Sequence, residues 1–215
     1  MQYYKKGLWE PYTHEELLEV LTVTMELTPE YCRLTRVVRD IPSTDIVVGN
    51  KLTNFREIAE AETKKRGIRQ GEIRSREIRN QTVTMDELHL DEIWYDTSAG
   101  QEVFLQYITE DRKITGFLRL SLPTEPPITD ELEDAAMIRE VHVYGQSLKI
   151  GESADGHTQH LGLGKELIER SVEIATERGY KRLAVISAIG IRDYYSKRGL
   201  GDVKQGQLYQ VRELN

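Results

Sequence analysis

Gln159-His160-Leu161-Gly162-Leu163-Gly164 runs directly into a helical pattern, Lys165 to Arg178. Two glycines spaced by one residue at a helix start let several backbone N–H groups come close to a ligand. The helix N-terminus adds partial positive charge there. Together they predict a seat for a phosphate or pyrophosphate. The plainer alternative is an ordinary glycine turn, and the order of the surrounding elements weighs against it.

Upstream of the seat the hydrophobic period is two. Leu88 to Tyr95, Glu102 to Ile108 and Ile114 to Leu122 read as three strands, separated by loops holding Gly100 and Asp111-Arg112. That spacing predicts an antiparallel meander. Met137 to Tyr144 reads as a fourth strand. Residues 145–158 contain three glycines and no periodicity, which predicts a long surface loop. Downstream, Arg182 to Ser187 is nearly all apolar and reads as a strand buried on both faces. Arg192 to Lys197 predicts a short helix ending at Gly199, and Gln207 to Val211 the last strand. The helix after the seat joins strands four and five, so these are expected to be parallel neighbours able to splay apart. A ligand between their C-terminal ends would meet free backbone groups.

The N-terminal part reads differently. Thr13 and Glu16 form a capping box before Leu17, Leu18, Leu21 and Met25, which recur at helical spacing until Thr28-Pro29. Asn54 is expected to cap a helix over Phe55 to Lys65, ended by Gly67. Residues 68–80 alternate Ile with Arg and Glu, as a half-buried strand or extended loop would.

Composition bounds the function. A chain of 215 residues, 39% hydrophobic and 30% charged, suits one large or two small globular domains. It has no apolar run long enough to span a membrane, and Met1 to Glu10 lacks the apolar core of a signal peptide. The single Cys32 excludes an internal disulfide and a cysteine-based zinc site, and points to a reducing cytoplasm. The net charge of −7 hides an asymmetry: residues 33–79 hold twelve Lys/Arg against seven Asp/Glu, +5, leaving −12 for the rest. A basic segment on an acidic protein can still bind a polyanion locally. A solvated surface is the bland alternative.

The pattern Gln-x-x-Gly-x-Gly after a meander resembles the GNAT acetyltransferases, and Tyr195-x-x-x-Gly199 matches their Tyr-x-x-x-Gly-Phe except that Leu200 replaces Phe. The resemblance goes further. Arg39-Asp40-Ile41-Pro42, Ile138 to Gly145, Gln159 to Gly164, Ala184 to Ser187 and Arg192 to Tyr195 together resemble the catalytic subunit of Elongator, the tRNA wobble-uridine acetyltransferase. This implies a GNAT fold of the α+β / α/β type, with a mixed, mostly antiparallel sheet and one splayed parallel pair. It also implies three regions: 1–66 as the end of a radical-SAM domain, 67–81 as a basic linker and 82–215 as the acetyltransferase domain. Because that family's cluster-binding cysteines are absent, no iron–sulfur cluster or S-adenosylmethionine is expected in this chain. The expectation is therefore a naturally short homologue or an excised region. Gln70, Glu72 and Ser75 stand where many relatives carry a Cys-x-Cys-x-x-Cys triplet, so no zinc is expected either.

Site roles follow from the resemblance. Acetyl-CoA is the implied cofactor. Leu161, Gly162, Leu163, Gly164 and Lys165 are its implied pyrophosphate contacts; Gln159 and His160 either join them or only shape the turn; Val143 and Tyr194 are further implied cofactor contacts, and Ser187 either meets the pantetheine arm or simply ends its strand. Tyr195 is the candidate general acid, with Tyr194 beside it; its plain alternative is a buried tyrosine packing the short helix. Glu140 and His142 share one strand face and are candidates for a base or for orienting the substrate. Arg33, Arg36, Arg39, Lys64, Lys65, Arg66, Arg69, Arg74, Arg76 and Arg79 are the candidate tRNA contacts. The tryptophans and the many tyrosines read as packing residues rather than base-stacking platforms. Implied partners are tRNA and either other Elongator subunits or a separate radical-SAM domain. A protein lysine acetyltransferase and a non-catalytic tRNA-binding or assembly module are the competing functions. Residues 146–158, leading into the seat, are expected to gate it.

Overall fold

The structure is a computed structural model that describes residues 1–37, 42–79, 81–144, 162–204 and 206–214. Arg39, Gln159, His160, Leu161 and the expected gate at 146–158 lie outside the described residues. The chain divides into two units, Met1–Arg76 and Glu77–Asn215. Of the stretch 67–81, residues through Arg76 fold with the first unit, while the Ile78 N–H bonds the Ile114 carbonyl of the second.

The first unit holds α1 (Gln2–Lys5), α2 (His14–Leu27), α3 (Phe55–Lys65) and α4 (Ile73–Arg76). The Thr13–Glu16 capping box starts α2 as its sequence predicts. Asn54 does stand at the N-cap of α3, but its side chain makes no capping bond. Its φ of −102° and ψ of 24° lie outside the extended conformation that aims a capping side chain back at the helix. Residues 68–80, expected to be extended, contain α4 instead. The cause is Glu72, whose carboxylate accepts the Arg74 N–H at 2.9 Å and opens the turn.

Glu72 is fully buried. It accepts from Arg56 Nη2 at 2.5 Å, Ser75 Oγ at 2.8 Å and the Leu34 N–H at 3.1 Å. Ser75 Oγ also reaches Gln70 Oε1 at 2.7 Å, and Gln70 bonds Thr63. Thus Gln70, Glu72 and Ser75 are tied to one another and to α3 by hydrogen bonds. Burial alone would raise the Glu72 carboxyl; donors from Ser75, Leu34, Arg74 and Arg56 overcome that and hold it below its ordinary range.

The second unit is a six-stranded sheet in the order β1-β2-β3-β4-β5-β6. The strands are β1 (His89–Thr97), β2 (Gly100–Ile108), β3 (Ile114–Pro123), β4 (Ala135–Val143), β5 (Arg182–Ile186) and β6 (Tyr209–Glu213). All neighbours are antiparallel except β4 and β5. This is the mixed GNAT-type sheet that the meander and crossover predict. Helix α5 (Leu163–Glu177) makes the crossover, and α6 (Arg192–Ser196) lies between β5 and β6 in the chain. Leu163, Leu167, Ile168, Ile174 and Ala175 of α5 join Val103, Leu105, Leu118, Leu120 and Ile138 in one buried core. Their helical spacing on α5 against period two on the strands is what makes helix and sheet bury the same layer. No helix among the described residues is long and apolar enough to cross a membrane.

Candidate active site at the opening of the sheet

The parallel pair is short. Ala135 to Ile138 pair with Arg182 to Val185, and there the pairing ends. From Arg139 onward β4 continues to Val143, and among the described residues its strand partner there is β3. The register between β3 and β4 shifts at this point: Arg119 faces Glu140 while Leu120 faces Ile138, so Arg139 is an extra, bulged residue. A bulge bends and twists its strand, which turns the end of β4 away from β5. The backbone of Arg139 to Val143 therefore faces an opening on its β5 side.

Three elements meet beside that opening. Gly162 precedes α5 with a left-handed φ of 76°, and a Cβ built on it would meet nothing within 4 Å among the described residues. The Lys165 and Glu166 N–H groups both turn back to the Gly162 carbonyl, at 2.8 and 3.2 Å, and no side chain caps the helix. Gly164 is buried where a Cβ would fall on the Tyr194 hydroxyl, with Val143 Cγ2 3.5 Å away. Leu163 is buried in the core, and Lys165 is exposed beside the turn. An open glycine turn, a 15-residue helix pointing its N-terminus at it and a flanking lysine suit a polyphosphate in shape and in charge.

Tyr194 and Tyr195 are adjacent on α6 but differently placed. Tyr195 is buried in the core cluster, its ring edge-on to Tyr194 at 5.3 Å. Tyr194 reaches the glycine turn. The Arg198 guanidinium lies 3.4 Å over the Tyr194 ring and donates to the Tyr194 carbonyl at 2.6 Å. Burial pushes both phenols up, Tyr194 adds to this at Tyr195, and the Arg198 charge opposes it at both. Ser187 lies just past β5 and donates to Gln210 Oε1 at 2.6 Å. Buried Gln210 donates in turn to the Arg192 carbonyl and to Ser196 Oγ, both at 3.1 Å. Gln210 thus ties α6 to β6, and Ser187 holds the Gln210 amide from its carbonyl side. Sequence reading missed Gln210 and Arg198. A glutamine between Tyr209 and Val211 in the last strand was the available signal, since a buried amide must find partners.

On the opposite sheet face, Glu140 and His142 come together. His142 Nε2 is 2.9 Å from Glu140 Oε1, and Arg119 Nε is 3.5 Å from Glu140 Oε2. The His142 bond, against the cost of burial, holds the Glu140 carboxyl below its ordinary value. The polar chain continues: Arg119 Nη1 donates to Tyr95 Oη at 2.6 Å, Tyr95 donates to Glu102 at 2.7 Å, and Arg139 donates to Glu102 at 2.6 Å. Burial, then the Glu102 carboxylate, push Tyr95 up to about 12.

The basic residues of the first unit differ in their surroundings. Arg76 is buried and donates to the Gly71 and Glu30 carbonyls. Arg66 pairs with Glu62 and Glu19, Arg69 with Glu30, and Lys65 loosely with Glu62. Arg33, Arg36, Lys64, Arg74 and, at the start of the second unit, Arg79 are exposed. Among the described residues no group of three or more His, Cys, Asp or Glu is placed to hold a metal.

Comparison with known proteins finds relatives of the chain. Residues 1–65 match the Radical_SAM C-terminal domain family. The tRNA uridine(34) acetyltransferase of Methanocaldococcus jannaschii is 35% identical over 210 residues, 91% of this chain and 38% of that protein. Elongator complex protein 3 of Schizosaccharomyces pombe is 32% identical over 212 residues, 91% of this chain and 38% of its own length. The structure of the archaeal Methanocaldococcus infernus Elp3 with an N-terminal deletion superposes with a TM-score of 0.86 at 31% identity, covering 99% of this chain and 51% of that one. Over about nine tenths of its length the chain is homologous to Elongator complex protein 3. It spans well under two thirds of the length of the relatives it matches. The opening of the sheet lies in its second unit.

Proposed function

We propose that the second unit binds acetyl-CoA at the sheet opening and acts as an acyltransferase in the modification of tRNA wobble uridine. The observation that carries this reading is the end of β4–β5 pairing at Ile138 and Val185, beyond which β4 runs on to Val143 at the first turn of α5. Kinship with proteins named tRNA uridine(34) acetyltransferase supplies the substrate class.

When bound, acetyl-CoA supplies an activated acyl group. The protein's own part divides by element. The α5 N-terminus and Lys165 hold the pyrophosphate through N–H groups and charge. The free edge of β4 from Arg139 to Val143 offers backbone donors and acceptors to the pantetheine amides. Tyr194 stands at the glycine turn with a raised phenol, protonated at neutral pH and able to give its proton to a departing thiolate. Glu140 accepts the His142 Nε2–H, which leaves Nδ1 to take a proton. Among the basic residues, the exposed Lys64 and Arg74 are the proposed tRNA phosphate contacts.

Isothermal titration of the chain with acetyl-CoA tests the reading. Saturable one-to-one binding that Gly164→Ala weakens at least tenfold is expected. Absence of binding at millimolar cofactor would sink it.

A further inference from the structure

At the free end of β4 three rings gather on the face away from α5. Phe117 is fully buried and stands opposite His142 in the β3–β4 ladder. Its centroid is 5.1 Å from that of His142, at 27° between planes, and 6.1 Å from that of Tyr144, at 42°. His142 and Tyr144, two residues apart on one face, are closer to parallel: 18° between planes with centroids 6.5 Å apart. The His142 side chain is 49% exposed and Tyr144 is half-buried. The imidazole plane is fixed by two contacts, the Phe117 ring and Glu140 Oε1. The Tyr144 main chain is held by its N–H, which bonds the Thr115 carbonyl at 2.8 Å, and its ring lies against Phe117.

A general base needs one imidazole and no second aromatic plane. Two near-parallel, anchored and partly exposed rings at the mouth of a polar opening are what a flat heterocycle stacks on. Proteins that read single-stranded RNA commonly use such rings, including histidine. We propose that His142 and Tyr144 form a stacking surface for one unpaired nucleobase of the RNA substrate. They would hold that base beside Glu140 at the free end of β4. This rests on the tRNA reading above and adds where the base sits. An adenine ring of the cofactor offers the same chemistry. The position argues for RNA, because the phosphate seat is reached from the α5 face, where Val143 points, and alternate residues of β4 point to the other face.

The test uses the full chain and a short single-stranded RNA with one 2-aminopurine, whose fluorescence falls on stacking. Binding should quench it. Tyr144→Leu should abolish the quench and weaken RNA binding by roughly 5- to 150-fold, the range for losing one base–aromatic stack. Tyr144→Phe should retain both, and acetyl-CoA binding should be unchanged in each variant. Should Tyr144→Leu fail to fold, wild-type protein irradiated with 4-thiouridine RNA decides the matter, because crosslinks should fall on His142 or Tyr144. Crosslinks confined to the first unit would overturn the proposal. So would a Tyr144→Leu protein that loses acetyl-CoA but keeps the quench, which would assign the surface to adenine. Loss of acetyl-CoA binding by the wild type with the quench intact would instead overturn the cofactor reading alone.

Discussion

A Cβ on Gly164 would occupy the place of the Tyr194 hydroxyl. The first turn of α5 and the middle of α6 are therefore in contact through one phenol oxygen. That phenol cannot swing aside freely, because Arg198 lies over its ring and bonds its carbonyl. Gly164→Ala should displace Tyr194. The strain is offset by alanine's helix preference of about 1 kcal/mol, so stability should change little while cofactor affinity falls. Adding Tyr194→Phe removes the oxygen and should restore part of the affinity. A double-mutant cycle read by titration calorimetry should show coupling of about 0.5 kcal/mol or more. Additive effects would mean that the two residues are independent.

Tyr194→Phe should lower turnover more than Tyr195→Phe, because only Tyr194 reaches the glycine turn. Tyr195 belongs to the core, so Tyr195→Ala should cost about 3 kcal/mol of stability. Acetyl-CoA hydrolysis and thermal unfolding of the three variants check this. A Tyr195→Phe protein that folds, binds cofactor and has lost turnover would return the acid role to Tyr195.

Glu140→Gln keeps the shape of the side chain and removes its charge. If Glu140 orients His142 for proton transfer, turnover should fall by about 100-fold, near the low end of the contribution of a general base. Cofactor affinity should stay within twofold. Because the His142 bond holds the Glu140 carboxyl below its ordinary value of 4.5, the carboxylate persists to lower pH than a free glutamate. Activity lost on acidification should therefore not be attributed to Glu140 until the pH is below that value. A pH–rate profile of wild type and variant compares the two.

Glu72 carries a stability prediction. Its carboxyl is lowered in the fold, so its contribution is complete above the ordinary value of 4.5 and is lost as the pH falls through the folded value. Glu72→Ala leaves Arg56 without its buried partner and should cost about 3 kcal/mol at pH 7. Hydrogen exchange of amides in residues 55–76 should show the loss, and the difference from wild type should shrink toward pH 3.

Lys64→Ala and Arg74→Ala should each weaken tRNA binding and reduce the salt slope by about 1, as single phosphate contacts do. Arg76→Ala should destabilise the first unit instead, because its guanidinium closes the Gly71 and Glu30 carbonyls. Filter binding at several salt concentrations, beside thermal melts, separates the two effects.

The sequence by itself determined the order of strands and helices in the second unit, the capping box of α2, the helical face of α5 and the glycine turn before it. These depend on neighbours a few residues apart, and local periodicity records them. The parallel β4–β5 pair was also legible, since a helical crossover permits little else. Only the tertiary structure decided that Tyr194 rather than Tyr195 meets Gly164, that Arg139 is the bulged residue, and that Arg76 is a buried tie. It also decided that Gln70, Glu72 and Ser75 bond to one another rather than lying along an extended segment. Those outcomes turn on side-chain direction and on partners tens of residues away. Hydrogen-bond and burial energies are settled there only when the strands and helices close on one another.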